Sequence, residues 1–197
     1  MDSSSPAITK DVLVAENIFL SIGEKDILNG ATIRSEVGHI TGLLGRNGAG
    51  KSTMLKAIQG TGKADECDVF VNGRKINNAY CINSLLNYLP QKPFLLPGIR
   101  VKSMLSHFGV NFRDIAAYFP ELEDDLDKKI SELSGGTERL WSVLTLLFAP
   151  TRFTLLDEPF SHIMPLHLEG LLAVMQSQKV RKGIISRPSK SHFEFGQ

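Results

Sequence analysis

Eight consecutive residues constrain this chain more than any others. Gly45-Arg46-Asn47-Gly48-Ala49-Gly50-Lys51-Ser52 fits G-x-x-x-x-G-K-[ST] at every fixed position. Chance gives roughly 0.01 such matches in a chain of this length. The setting also agrees, because a buried-strand pattern at 40–44 precedes the match and a helical pattern at 52–59 follows it. The chemistry explains the residue types. Glycines let the backbone wrap closely around phosphates and turn its N–H groups inward. The helix that follows adds the positive end of its dipole. Lys51 is placed to reach terminal phosphates, Ser52 to hold Mg²⁺, and Thr53 to continue the cradle. The alternative is a glycine-rich loop that binds nothing.

Composition removes several classes. Lys plus Arg is 22 and Asp plus Glu is 21, a net charge of +1. A chain gripping nucleic acid through its phosphates needs a clustered basic excess, so no nucleic-acid partner is expected. The apolar fraction of 42% supplies a core. Cys67 and Cys81 form no C-x-x-C, which argues against a disulfide scaffold or cysteine zinc site and fits a reducing compartment. Residues 1–10 are polar and lack an apolar signal core. The longest mostly apolar run, 143–149, falls far short of the roughly 20 residues that cross a bilayer. Any membrane-spanning part is therefore expected from another chain.

Along the chain, 12–20, 27–33, 69–71, 85–89, 153–156 and 183–185 read as strands, and Asn72-Gly73 reads as a turn. Residues 101–108, 121–129 and 136–148 read as helices. Pro165 is a candidate first residue of another helix, with Leu168, Leu171, Leu172 and Met175 on one face. Alternating strands and helices predict an α/β sheet, with a helical insertion at about 92–136.

A second motif supports the first. Phe153-Thr154-Leu155-Leu156-Asp157-Glu158-Pro159 is an apolar strand delivering two carboxylates at its C-terminal end, where open α/β sheets hold their ligands. Asp157 is a candidate Mg²⁺ ligand and Glu158 a candidate general base for an attacking water. A third segment, Leu133-Ser134-Gly135-Gly136-Thr137, can be an anion site at a helix start or simply a helix cap, with Ser134 capping and Glu138 in the first turn.

With these three segments the chain resembles the ATP-binding subunits of ABC transporters, whose signature is L-S-G-G-Q; Thr137 departs from the usual Gln. The resemblance covers about 12–186. It implies a P-loop NTPase (RecA-like) α/β core sheet with helices on both faces, N-terminal antiparallel strands and an inserted small helical subdomain. In domain terms it implies one ABC ATP-binding domain over 1–197: core at about 10–91 and 137–187, helical subdomain at about 92–136, tail at 188–197. It also implies the cofactors ATP and Mg²⁺. Gln91, after Tyr88-Leu89-Pro90, resembles the family's Q-loop glutamine, which touches metal and water, so Gln91 joins Glu158 as a catalytic candidate and joins Ser52 and Asp157 as a metal candidate. Ser134, Gly135 and Gly136 are expected to cap ATP held by the other subunit of a homodimer or heterodimer. The implied partner is a membrane-spanning permease, and the implied location is the cytoplasmic face of the membrane. The apolar segment Phe94-Leu95-Leu96-Pro97 is a candidate docking point, with ordinary packing as the alternative.

Four departures from the family stand out. Ile22 stands where an aromatic residue usually stacks on adenine; Phe19 is a possible substitute. Ser161-His162-Ile163-Met164 lacks the Asp that crosses the dimer interface. No switch histidine follows the last strand promptly, since Ser186-Arg187-Pro188 comes instead and His192 comes late. The end of the chain reads as shortened. The expected function is therefore an ATP-binding, ATP-hydrolysing subunit that energises transport. The alternatives are an ATP-binding module with lost or weak hydrolysis, or a non-transport ATPase of the same type.

Overall fold

The computed structural model describes residues 11–188, without the side chain of Ile22. Two four-stranded sheets organise the chain. Strands β1 (Val12–Ile22), β2 (Lys25–Glu36), β4 (Glu66–Val71) and β5 (Arg74–Ile76) form an antiparallel sheet in the order β2-β1-β4-β5. Strands β3 (Ile40–Gly42), β6 (Leu86–Leu89), β7 (Phe153–Asp157) and β8 (Gly183–Arg187) form a parallel sheet in the order β3-β8-β7-β6. Tight turns join β1 to β2 and β4 to β5, β1 and β4 pair across a long intervening segment, and helical crossovers lead into β7 and β8.

The central strands β7 and β8 are buried on both faces and read as largely apolar runs, whereas β3 at the sheet edge is only partly buried and stops at Gly42, short of the buried run expected at 40–44, with Leu44 60% exposed. Successive side chains alternate between faces. Leu155 and Ile185 pack with Leu55 and Ile58 of α1 (Lys51–Gln59) and with Leu13 and Ile33 of the antiparallel sheet. Leu156 and Ile184 pack with Leu140 and Leu144 of α4 (Gly135–Phe148) and with Leu171 and Val174 of α5 (Pro165–Gln178). Helices thus cover both faces.

Between β6 and α4 lie α2 (Val101–His107), α3 (Phe112–Ala116) and 3₁₀ turns at Pro120–Asp125 and Ile130–Glu132. The helix expected at 121–129 is replaced by these turns. The Val101 N–H donates to Lys128 O at 3.1 Å and the Ile130 N–H to Ile99 O at 2.9 Å, which draws 128–130 out into an extended pairing that no helix could keep. The Asp125 carboxylate accepts from Trp141 Nε1 at 3.2 Å and from Lys128 Nζ at 2.7 Å, tying the turn to fully buried Trp141 of α4. The helix starts follow the sequence. Ser134 caps α4 by accepting from the Thr137 N–H, and Pro165 opens α5. On α5 the buried stripe runs through His167, Leu171, Val174, Met175 and Gln178, so Leu172 faces outward at 44% exposure. Among the described residues, no helix is long and apolar enough to cross a membrane.

Lys182, in the turn before β8, is buried. Its Nζ donates to Ala149 O at 2.7 Å and Leu146 O at 3.2 Å, and lies 3.3 Å from the hydroxyls of Thr151 and Thr154. Burial lowers its ammonium from 10.5 to about 7. Between these values the unfolded chain holds a proton that the folded chain has released, so stability rises with pH across that window. The full cost of the buried charge, on the order of a few kcal/mol, is present below about pH 7 and fades as pH approaches 10. Urea unfolding at pH 6.5 and 9.5 is expected to show a steeper pH dependence in the parent than in Lys182→Met. Equal dependence in the two would contradict the assignment.

Candidate functional site

The glycine-rich loop links β3 to α1. Gly50 caps α1 in the left-handed conformation at φ 77°, and a Cβ there would lie 2.7 Å from Ile27 Cγ2 and 3.2 Å from Leu28 Cγ. Only glycine meets both demands, and it lets the helix start press against β2. Lys51 is buried, and its Nζ donates to the carbonyls of Gly45 and Arg46 at 2.6 Å each. The lysine arches back over a loop that also holds Asn47, Gly48 and Ala49, while Ser52 and Thr53 lie in the first turn of α1.

The C-terminal ends of β6, β7 and β8 converge beside this loop. Asp157 ends β7 and Glu158 follows it at φ 52°, a left-handed conformation unusual for a residue with a side chain. Asp157 Oδ2 accepts from the Tyr88 hydroxyl at 3.3 Å. Burial first, and the neighbouring Asp157 charge second, push that phenol well above its usual range, so it stays a donor. Gln91, just beyond β6, donates from Nε2 to Glu158 Oε2 at 3.0 Å, and Ser161 Oγ lies 3.2 Å from the same oxygen. Ser52, Asp157, Glu158 and Gln91, all expected from sequence, therefore meet in one cluster.

Arg187 joins them, and sequence reasoning missed its role. Its Nη1 donates to Ser52 Oγ and to Asp157 Oδ1, both at 2.6 Å, and its Nη2 pairs with Glu158 Oε1 at 2.8 Å. The Glu158 N–H donates back to Arg187 O at 2.8 Å. A signal was available, because Arg187 ends the parallel strand beside β7 and so shares the ligand-binding edge with Asp157, its register partner. Arg139 was missed as well. From α4 it donates to the carbonyls of Pro90 at 2.7 Å, Asp157 at 2.7 Å and Glu158 at 2.8 Å, pinning the ends of β6 and β7. Burial lowers its affinity for the proton, an effect opposed by the Asp157 and Glu158 charges.

Ser134, Gly135 and Gly136 form the start of α4. Ser134 Oγ accepts from the Thr137 N–H at 3.1 Å and lies 2.8 Å from Thr137 Oγ1, so the hydroxyl caps α4. Gly135 and Gly136, with Gln91, Arg139 and His162, line a cavity of about 380 Å³. A Cβ on Gly136 would lie 2.7 Å from His162 O. Phe19 packs over Gly30, and Ile22 ends β1 opposite Lys25. The side chain of Ile22, His192 and the tail beyond Pro188 lie outside the described residues. Phe94 and Leu95 pack on the core, while Leu96 is exposed.

The metal set expected from sequence, Ser52, Gln91 and Asp157, has suitable oxygens but does not come together as a cage. Mg²⁺ demands oxygens at about 2.0–2.1 Å in octahedral array. Here Ser52 Oγ and Asp157 Oδ1 are both engaged by Arg187 Nη1, and Gln91 presents its nitrogen to Glu158. A cation about 4 Å from that guanidinium would meet repulsion of about 4 kcal/mol per unit charge at an effective dielectric constant near 20. As arranged, the residues do not fit a divalent ion.

A parallel-sheet strand feeding a phosphate-type loop and helix, faced by an acidic strand end, defines a P-loop NTPase. Residues 28–161 match the ABC transporter family, and the chain belongs to it. It is 32% identical over 174 residues to ABC transporter A family member 11 of Dictyostelium discoideum, covering 82% of this chain and 21% of that protein. It is 31% identical over 175 residues to the Nod factor export ATP-binding protein I of Burkholderia orbicola, covering 80% of this chain and 58% of that one. The chain thus spans less than two thirds of these relatives. A solved ATP-binding subunit of an ABC transporter shares its fold at a TM-score of 0.79 and 22% identity, over 91% of this chain and 80% of that one.

Proposed function

We propose that this chain binds ATP in the 45–53 loop and, through its hydrolysis, energises transport by a separate membrane-spanning permease. The observation that carries this reading is the meeting, at the ends of three parallel strands, of phosphate-loop Ser52 with Asp157 and Glu158 through Arg187, and of Glu158 with Gln91. Loop N–H groups, the α1 dipole and Lys51 receive the phosphates. Glu158 accepts a proton from the attacking water, and Gln91 orients that carboxylate. Two chains, either copies or homologues, act as a dimer in which the 134–136 segment of one caps the nucleotide of the other. Such a subunit works at the cytoplasmic face of the membrane.

One observation favours the slower variant of this function. Both Glu158 oxygens are already engaged, Oε1 by Arg187 and Oε2 by Gln91 and Ser161, so an attacking water must displace one of these partners to reach the carboxylate. Turnover by the isolated chain is therefore slow. Glu158→Gln is expected to keep ATP binding and lose what hydrolysis the parent shows, as an amide accepts no proton. Steady-state phosphate release read beside nucleotide affinity tests this; equal, measurable release in both proteins would remove Glu158 from the chemistry.

A further inference from the structure

We propose that Arg187 is the resident cation of this site, taking the position of a divalent ion, so that the chain binds ATP independently of Mg²⁺. The inference rests on the ATP-binding reading above and concerns how that same site balances charge.

The arrangement is built rather than incidental. Arg187 is only 9% exposed and is the last residue of β8, which lies between β3 and β7. Its backbone is fixed by pairing with Asp157 and by accepting the Glu158 N–H at 2.8 Å. Its guanidinium bridges the phosphate-loop hydroxyl of Ser52 at 2.6 Å to both acidic side chains, at 2.6 and 2.8 Å. The flat fork of an arginine suits this three-way contact, which a lysine could not reproduce.

The charge arithmetic points the same way. In a P-loop site the strand-end carboxylates repel the incoming triphosphate unless a cation stands between them. Here Arg187 already neutralises Asp157 and Glu158 in part, and it does so from the oxygens a metal would coordinate. Its Nε is also buried, with no hydrogen-bond partner among the described residues, which leaves one donor of the guanidinium unspent. A metal could enter only by displacing Arg187 from Ser52 and Asp157, leaving a buried guanidinium short of partners.

The test is the affinity of a fluorescent ATP analogue for the full chain in excess EDTA and in excess Mg²⁺. Parent affinity is expected to differ less than about threefold between the two conditions. Arg187→Gln frees Ser52 and Asp157 and is expected to bind at least about tenfold more tightly with Mg²⁺ than with EDTA. Arg187→Lys, which keeps the charge, is expected to fall between them. If Arg187→Gln does not fold, as thermal melting would reveal, the parent comparison decides alone. Parent binding that depends on Mg²⁺ by tenfold or more overturns this inference and leaves the ATP-binding reading standing. No parent binding in either condition overturns both.

Discussion

Lys51→Ala is expected to weaken ATP binding by about 10²-fold or more. Lys51 is 8% exposed, so its ammonium meets phosphate oxygens with little competition from water. Truncating one partner of a buried, hydrogen-bonded charge pair costs about 2–5 kcal/mol, and each 1.4 kcal/mol is tenfold in affinity. Without ligand, Lys51 holds the carbonyls of Gly45 and Arg46. These belong to a partly exposed loop and can turn to water, so the fold should survive the change. Isothermal titration with ATP, read beside the melting temperature, checks both halves. Unchanged affinity would remove the phosphate-loop assignment.

Arg139→Met is expected to have the largest effect on stability, about 3–5 kcal/mol. Methionine keeps the aliphatic bulk but strands three carbonyls that a single guanidinium now satisfies, and each buried group left without a partner costs about 1–3 kcal/mol. The loss should extend to the site. Pro90 precedes Gln91, and Asp157 and Glu158 carry the acidic pair, so their geometry loosens together. Denaturant unfolding should show a lower midpoint with an unchanged slope. Arg139→Lys, with one compact ammionium-type donor head, should recover only part of the stability. An unfolding midpoint equal to the parent's would show that these carbonyls find other partners.

The parts of the fold that follow from local chemistry were legible in the sequence. The motif glycines, the apolar strand before Asp157, the Ser134 cap and Pro165 all act through their immediate neighbours, and all appear where expected, while the strand before Gly45 is shorter and less buried than its apolar run implies. What escaped depends on tertiary partners. The turns at Pro120–Asp125 replace a helix because residues 99–101 capture 128–130, an attachment that no periodicity within 121–129 encodes. Its apolar character puts Leu172 on the expected buried face, but α5 is apolar on several sides, and only packing against α4 selects the stripe. In the site, the motif residues Ser52, Gln91, Asp157 and Glu158 come together, and the arginines that organise them lie outside every motif. Arg139 and Arg187 lie on α4 and β8, far in sequence from the Ser52 and Pro90 that they reach.

The two adjacent glycines that open α4 face different constraints as the gene drifts. At position 136 the carbonyl of His162 fills the space that any Cβ would need, and every other amino acid brings a Cβ. That position therefore has an alphabet of one letter, imposed from within the chain. At Gly135 a Cβ would meet nothing within 4 Å. Its own fold would accept alanine there, so any constraint on that position must press from outside, through a ligand or a neighbouring molecule. A survey of tolerated substitutions at the two sites would separate the history of this chain's architecture from the history of what it touches.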